Sequence, residues 1–124
     1  GLAERDPGNT LWQRDLSISK NKIGDVLVAQ GDLGGALTAY REGLAIAQGL
    51  AERDSGNTEW QRDLSISKER IGDVLVARGD LGVALTAYRE GLAIREGLAE
   101  RDPGNTLWQR DLGRLREKVA KYSS

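Results

Sequence analysis

The chain contains no cysteine, histidine, methionine or phenylalanine, and only 2 prolines among 124 residues. Without Cys there is no disulfide or thiolate chemistry, and the redox compartment leaves no mark on the sequence. Without His, the commonest metal ligand and the commonest acid/base group near neutral pH are both missing. Met is absent even at position 1, so a segment of a longer or processed chain is expected. Charge of one sign is not in excess either: 18 basic residues face 19 acidic ones, the net charge is −1 and the pI about 5.5. A nucleic-acid-binding domain usually shows a basic stripe or a high pI, and neither is present. No apolar run approaches the roughly 18 residues of a membrane span. The opening GLAERD has neither the basic start nor the apolar stretch of a signal peptide. A soluble, cytoplasmic protein is expected.

What the chain does have is repetition. DPGNTLWQRDL stands at residues 6–16 and again at 102–112, with DSGNTEWQRDL at 54–64. LAERD begins at Leu2, Leu50 and Leu98, a period of 48. Residues 2–49 and 50–97 differ at only 8 places: 7, 11, 21, 22, 30, 35, 47 and 48 against their partners. Such identity implies recent duplication or consensus building. The third copy keeps the pattern to Leu112 and then becomes GRLREKVAKYSS.

Each unit holds two helical patterns. In the first, from about Thr10 to Gln30, Trp12, Leu16, Ile23, Val26 and Leu27 recur at steps of 3 and 4, with small Ser19 on the same face. Asn9 or Thr10 is placed to cap it, and Gly31-Asp32 ends it. The second, from about Asp32 to Arg53, carries Leu33, Ala36, Leu37, Tyr40, Leu44, Ala47 and Leu50 on one face, with Asp32 as its cap. Asp-Pro-Gly closes it, Pro lacking the helical N–H and Gly expected to take a left-handed turn. A two-residue Gly-Asp link implies an antiparallel hairpin. Neither helix buries its stripe alone; stacked hairpins do. A four-helix bundle has a similar helix count, but near-identical tandem units favour the open stack. The expected organisation is one all-α domain over 1–124: a helix tail at 1–6, hairpins at 10–53 and 58–101, and a capping helix at 106–122.

The stretch IGDVLVAQGDLGGALTAYREGL (23–44) resembles the tetratricopeptide repeat. The matching places are Ile23-Gly24, Leu27, Gly31-Asp32, Ala36, Tyr40 and Gly43, then Ile71-Gly72, Leu75, Gly79-Asp80, Ala84, Tyr88 and Gly91. Each small residue has a packing reason: Gly24 and Ala36 let helices approach, and Tyr40 fills space between hairpins. The departures are Lys20 and Lys68 where the family has Trp, and a period of 48 against about 34. Each helix thereby gains seven residues, about two turns at ~3.6 per turn, which keeps its face within a drift of ~20°. The resemblance therefore implies an alpha-alpha superhelix of elongated hairpins, each helix roughly 30 Å long. Trp12, Trp60 and Trp108 lie in the added part and are expected to plug the hairpin ends.

The resemblance also implies a protein-interaction scaffold, whose first helices line a concave peptide groove. The corresponding positions here are Asn21, Asp25 and Val28, then Glu69, Asp73 and Val76. They form an acidic patch with apolar interruptions, suited to a basic or amphipathic peptide. Family members that clamp a carboxylate use Lys and Asn there, and only Asn21 partly matches. In bacteria such repeats often sit beside a signalling or effector domain. The alternative is a purely structural or self-assembling module without a peptide ligand.

Catalytic readings are weak. Ser17-Ile18-Ser19-Lys20 and Ser65-Ile66-Ser67-Lys68 fit S-x-x-K, but no S-D-N or K-T-G accompanies them. Asp15, Asp25 and Asp32, repeated as Asp63, Asp73 and Asp80, are expected as helix caps and partners of Arg and Lys rather than as a metal or acid/base set. The glycines at 31, 34 and 35 make no phosphate loop. No enzyme activity, metal or cofactor is expected. Two routes to a homo-oligomer are: exposed hairpin ends, and straightening at Ser55-Gly56, where the Pro of the other corners is lost, which would fuse residues 32–78 into one swapped helix.

Overall fold

A computed structural model of the chain describes residues 8–123 as five helices: α1 Gly8–Ala29, α2 Leu33–Arg53, α3 Thr58–Ala77, α4 Leu81–Arg101 and α5 Thr106–Tyr122. Among the described residues there is no strand. The proposed tail at 1–6 lies outside them. The first four helices have 20 to 22 residues, roughly 30 Å at ~1.5 Å per residue. None of the described helices is long and apolar enough to cross a membrane.

The Gly-Asp corners are built by hydrogen bonds that only a left-handed residue permits. Gly31 has φ 81° and Gly79 has φ 87°. The Gly31 N–H donates to the Val28 carbonyl (2.9 Å) and the Asp32 N–H to the Leu27 carbonyl (2.9 Å). Gly79 and Asp80 repeat this with Val76 (3.0 Å) and Leu75 (2.8 Å). This is the double closure of a Schellman motif, which satisfies the last carbonyls of one helix while aiming the chain into the next.

The other corners use different chemistry from that expected. Gly56 and Gly104 are not in the left-handed region; among the described residues only Gly31 and Gly79 are. Asp54 instead leaves α2 in an extended conformation. Its carboxylate accepts from the Gly56 N–H (3.0 Å), and its carbonyl from the Asn57 N–H (3.1 Å). A side-chain turn of this kind needs no positive φ. Asn57 then caps α3 by accepting from the Trp60 N–H, and Asn105 caps α5 through Trp108, both at 3.0 Å. In α1, by contrast, helix already begins at Gly8, so Asn9 and Thr10 lie within it. The Ser55 corner closes as the Pro103 corner does (Asn105 N–H to Asp102 carbonyl, 3.0 Å), and residues 32–78 are not fused.

One of the 8 differences between the units acts on a cap. Asp32 accepts from the Gly35 N–H at 2.9 Å, whereas Asp80 makes no side-chain cap bond. A Cβ at position 35 would stand 2.5 Å from the Asp32 carboxylate, and the equivalent residue is Val83. Asp32→Ala is therefore expected to lose about 1 kcal/mol, the usual worth of an N-cap. Asp80→Ala should change stability by no more than a few tenths. Equal losses in urea titrations of the two variants would contradict this account.

Consecutive helices pack on one another throughout: α1 on α2, α2 on α3, α3 on α4, α4 on α5. The seam inside a hairpin is small and polar. Ser17 Oγ donates to the Gly43 carbonyl (2.9 Å), and the Tyr40 ring lies directly over Gly24. The apolar core lies between hairpins, where Ala36, Leu37 and Tyr40 of α2 meet Ile71, Val74 and Leu75 of α3 and Ala84 and Ala87 of α4. At the far end Leu112 and Leu115 of α5 are buried, and Tyr122 stacks on Tyr88 with ring centres 6.0 Å apart.

This division of labour corrects the reading of α1. Ile71 and Val74 of α3 are 6% and 2% exposed, but Ile23 and Val26 of α1 are 50% and 56% exposed, and Ser19 faces solvent. The stripe that α3 buries against α2 has no described helix before it in α1. Trp60 and Trp108 are half-buried, whereas Trp12 is 60% exposed and plugs nothing among the described residues.

Candidate functional site

The first helices α1, α3 and α5 form one face, stitched by side-chain bonds of constant span. Arg14 donates to Asp63 (2.7 Å) and Arg62 to Asp111 (2.9 Å), each 49 residues apart, one period plus one. Arg70 donates to Asp25 (3.1 Å) and Lys118 to Asp73 (2.9 Å), each 45 apart, one period less three. The ladder exists because the period is strict. Three rungs are surface or half-buried pairs, individually worth less than about 1 kcal/mol, and in the fourth Asp111 is buried; together the rungs fix how one hairpin lies on the next.

Of the six positions proposed for a groove, four line or border this face and two do not point outward. Asp25, Val28 and Asp73 are exposed; Val76 is half-buried and packs against the core. Asn21 and Glu69 are buried. Seven residues added to each helix keep the stripe but do not keep every side position, and 21 and 69 fall in the seam between α1 or α3 and its neighbours. Asn21 donates to Ser67 Oγ (3.3 Å) while its Oδ1 accepts no hydrogen bond, tucked beside Gly43.

The equivalent Glu69 is the centre of a charge cluster that the apolar pattern did not reveal. Arg95, 1% exposed, donates to it at 2.8 Å, and also to Ser65 Oγ and the Asp111 carbonyl, both at 3.1 Å. Arg114 adds two bonds at 3.1 Å and Lys118 one at 2.7 Å. Burial by itself would raise the Glu69 carboxyl. The hydrogen bonds from Arg114 and Lys118 and the charge of Arg95 outweigh it and bring the group down to about 2. Burial alone would lower the Lys118 ammonium, and its bonds to Glu69 and Asp73 raise it instead. A signal was present in the sequence: Asn21 becomes Glu69 and Ala47 becomes Arg95, so two of the 8 differences form one ion pair.

The exposed carboxylates of the face are committed too. Asp25 takes the Tyr40 hydroxyl, and Asp73 the Tyr88 hydroxyl at 2.6 Å. Burial first, then these bonds, pushes both phenols well above their ordinary range. The patch is therefore not a free acidic surface: every one of Asp25, Glu69 and Asp73 faces a cation. The serine–lysine pairs are likewise engaged elsewhere. Ser17 and Ser65 bond backbone carbonyls, Lys20 pairs with Glu42 (3.6 Å) and Lys68 with Glu90 (3.1 Å). Among the described residues no three carboxylates converge as a metal site would need.

Three adjoining clefts run along the face, with Arg70 in the wall of each. One of about 200 Å³ lies between α1 and α3, with Val28, Leu33, Val74 and Ala77 below and Asp25, Arg70 and Asp73 around it. A second, of about 220 Å³, reaches from Ser17 and Ile18 to Asp63 and Ile66. A third, of about 390 Å³, lies between α3 and α5 beside Arg62, Arg114 and Lys118. The first has an apolar floor and a rim charged with both signs, the combination that suits an amphipathic ligand, whereas the third is walled almost wholly by charged side chains. No protein-family model and no curated protein matches this chain.

Proposed function

We propose that the chain is a non-catalytic interaction module, a tetratricopeptide-like scaffold that holds an amphipathic peptide of a partner protein along the face of its first helices. The cleft under Val28 carries this reading. Its floor is apolar, its rim is charged, and it continues into two neighbouring clefts. A purely basic peptide fits less well than an amphipathic one, since the carboxylates it would seek are already paired. The partner's apolar side chains would enter the cleft while its charged ones exchange with rim ion pairs, the ordinary division between the centre and rim of an interface.

The Val28 side chain is exposed and its backbone bond to Gly31 does not depend on it, so Val28→Glu should leave the fold intact. Against a library of fluorescent amphipathic peptides it is expected to weaken binding roughly tenfold or more, as loss of a central apolar contact does. Asp25→Lys with Asp73→Lys tests the rim. Binding that survives Val28→Glu places the site elsewhere, and a chain that captures no peptide favours the purely structural module.

A further inference from the structure

The stripe of α1 on the side turned from the Val28 cleft consists of Leu11, Trp12, Asp15, Ser19, Lys22, Ile23 and Val26, all exposed, with Lys22 also bordering the second cleft. We infer that it is a self-docking surface, which takes α1 of a second copy antiparallel about a two-fold axis through Ser19.

The same stripe on α3 shows what such a face is for. Ser67, Ile71 and Val74 are buried there, and Asp63 and Arg70 pair with Arg14 and Asp25 of α1. Among the described residues the corresponding Asp15 and Lys22 of α1 have no hydrogen-bond or ion-pair partner, and position 11 is Leu where α3 has Glu59 bonded back to Arg14. The stripe is thus a helix-packing face made more apolar than its internal counterpart.

Its order is self-complementary. Trp12 lies seven residues before Ser19 and Val26 seven after. Asp15 lies four before and Lys22 three after. At ~1.5 Å per residue, an antiparallel partner sets Trp12 against Val26 and brings Asp15 within one residue's rise of Lys22, twice over. Ser19, the smallest side chain in the stripe, sits at the crossing where the helices come closest. A two-fold interface requires that a surface match itself in this way. A parallel neighbour would instead set Asp15 on Asp15 and Lys22 on Lys22.

The test exploits the symmetry. In sedimentation velocity the wild-type chain is expected to form a concentration-dependent dimer. Asp15→Lys alone and Lys22→Asp alone each put like charges across both contacts, and each should weaken dimerisation roughly tenfold or more. Mixed together, the two single variants should form a heterodimer, and the Asp15→Lys/Lys22→Asp double variant should dimerise again on its own. Both positions are exposed and bond to none of the described residues, and circular dichroism checks that the helices persist. A wild type that stays monomeric at every concentration overturns the proposal and leaves the stripe to a further hairpin of the same repeat. Dimers that persist in Asp15→Lys, or a mixture that fails to pair, overturn it as well.

Discussion

Glu69→Ala is expected to lower the stability of the chain by about 3–5 kcal/mol, the cost of removing one member of a buried ion pair. The loss comes mostly from what is left behind. Arg95 stays 1% exposed with only Ser65 Oγ and the Asp111 carbonyl as partners, and a buried guanidinium needs a counter-charge. Replacing both residues by their counterparts in the first unit, Glu69→Asn with Arg95→Ala, should recover most of the loss. Asn21 and Ala47 already occupy those places in the first hairpin, where the seam holds without an ion pair. Urea titration of Glu69→Asn, Arg95→Ala and the two combined decides this. Losses that simply add in the double variant would mean that the two residues do not act as a pair. The pH dependence has a definite sign. The Glu69 carboxyl titrates at about 2 instead of 4.5. A lowered carboxyl stabilises the fold above its unfolded value and loses that contribution as pH falls through the folded one. Wild type should therefore lose stability between about pH 4.5 and 2 more steeply than the double variant.

Gly72→Ala and Gly97→Ala should move stability in opposite directions. Both glycines lie inside helices, where Ala is favoured by about 1 kcal/mol. At Gly97 nothing lies within 4 Å of the added methyl, so the variant should gain roughly that amount. At Gly72 the methyl would overlap the ring of Tyr88, which is buried, pinned to Asp73 and covered by Tyr122. The ring has nowhere to turn, and overpacking of this kind typically costs about 1–3 kcal/mol after adjustment. Thermal melts of the two variants, compared with wild type, give the signs directly. A stabilised Gly72→Ala would show that Tyr88 moves aside freely and that the close approach is dispensable.

The helices and their ends were legible from residue spacing because turns announce themselves: Gly31-Asp32 and Gly79-Asp80 are short, local and obligatory. What the apolar stripe located was the surface between hairpins. The seam within a hairpin sets Ser17, Asn21 and Gly24 against Tyr40 and Gly43, and of these the hydrophobic period selects Tyr40 alone. Asn21 and Glu69 are accordingly buried where the resemblance implies an outward face, and Trp12 and Ile23 are exposed where the spacing predicts a core. Whether a stripe is buried depends on what precedes it, which the stripe itself does not record. The Gly56 and Gly104 corners depart from the expected left-handed turn for a different reason. The carboxylates of Asp54 and Asp102 sit beside each turn, and at the first the Asp54 side chain bonds the Gly56 N–H, so the turn closes without a positive φ.

The Glu69 cluster also bears on how so repetitive a chain finds its proper order. Tandem units that are nearly identical invite skipped pairings during folding, in which one hairpin is looped out and the next element docks a unit too early. Were α5 to settle on the first hairpin, Lys118 would still find Asp25 and Asp111 would still find Arg14, since those rungs repeat. Arg114 would meet neutral Asn21, however, and position 47 would offer Ala in place of Arg95. Only the second hairpin carries the acid that Arg114 and Lys118 share. One Asn-to-Glu change and one Ala-to-Arg change thus give the terminal helix a single correct address.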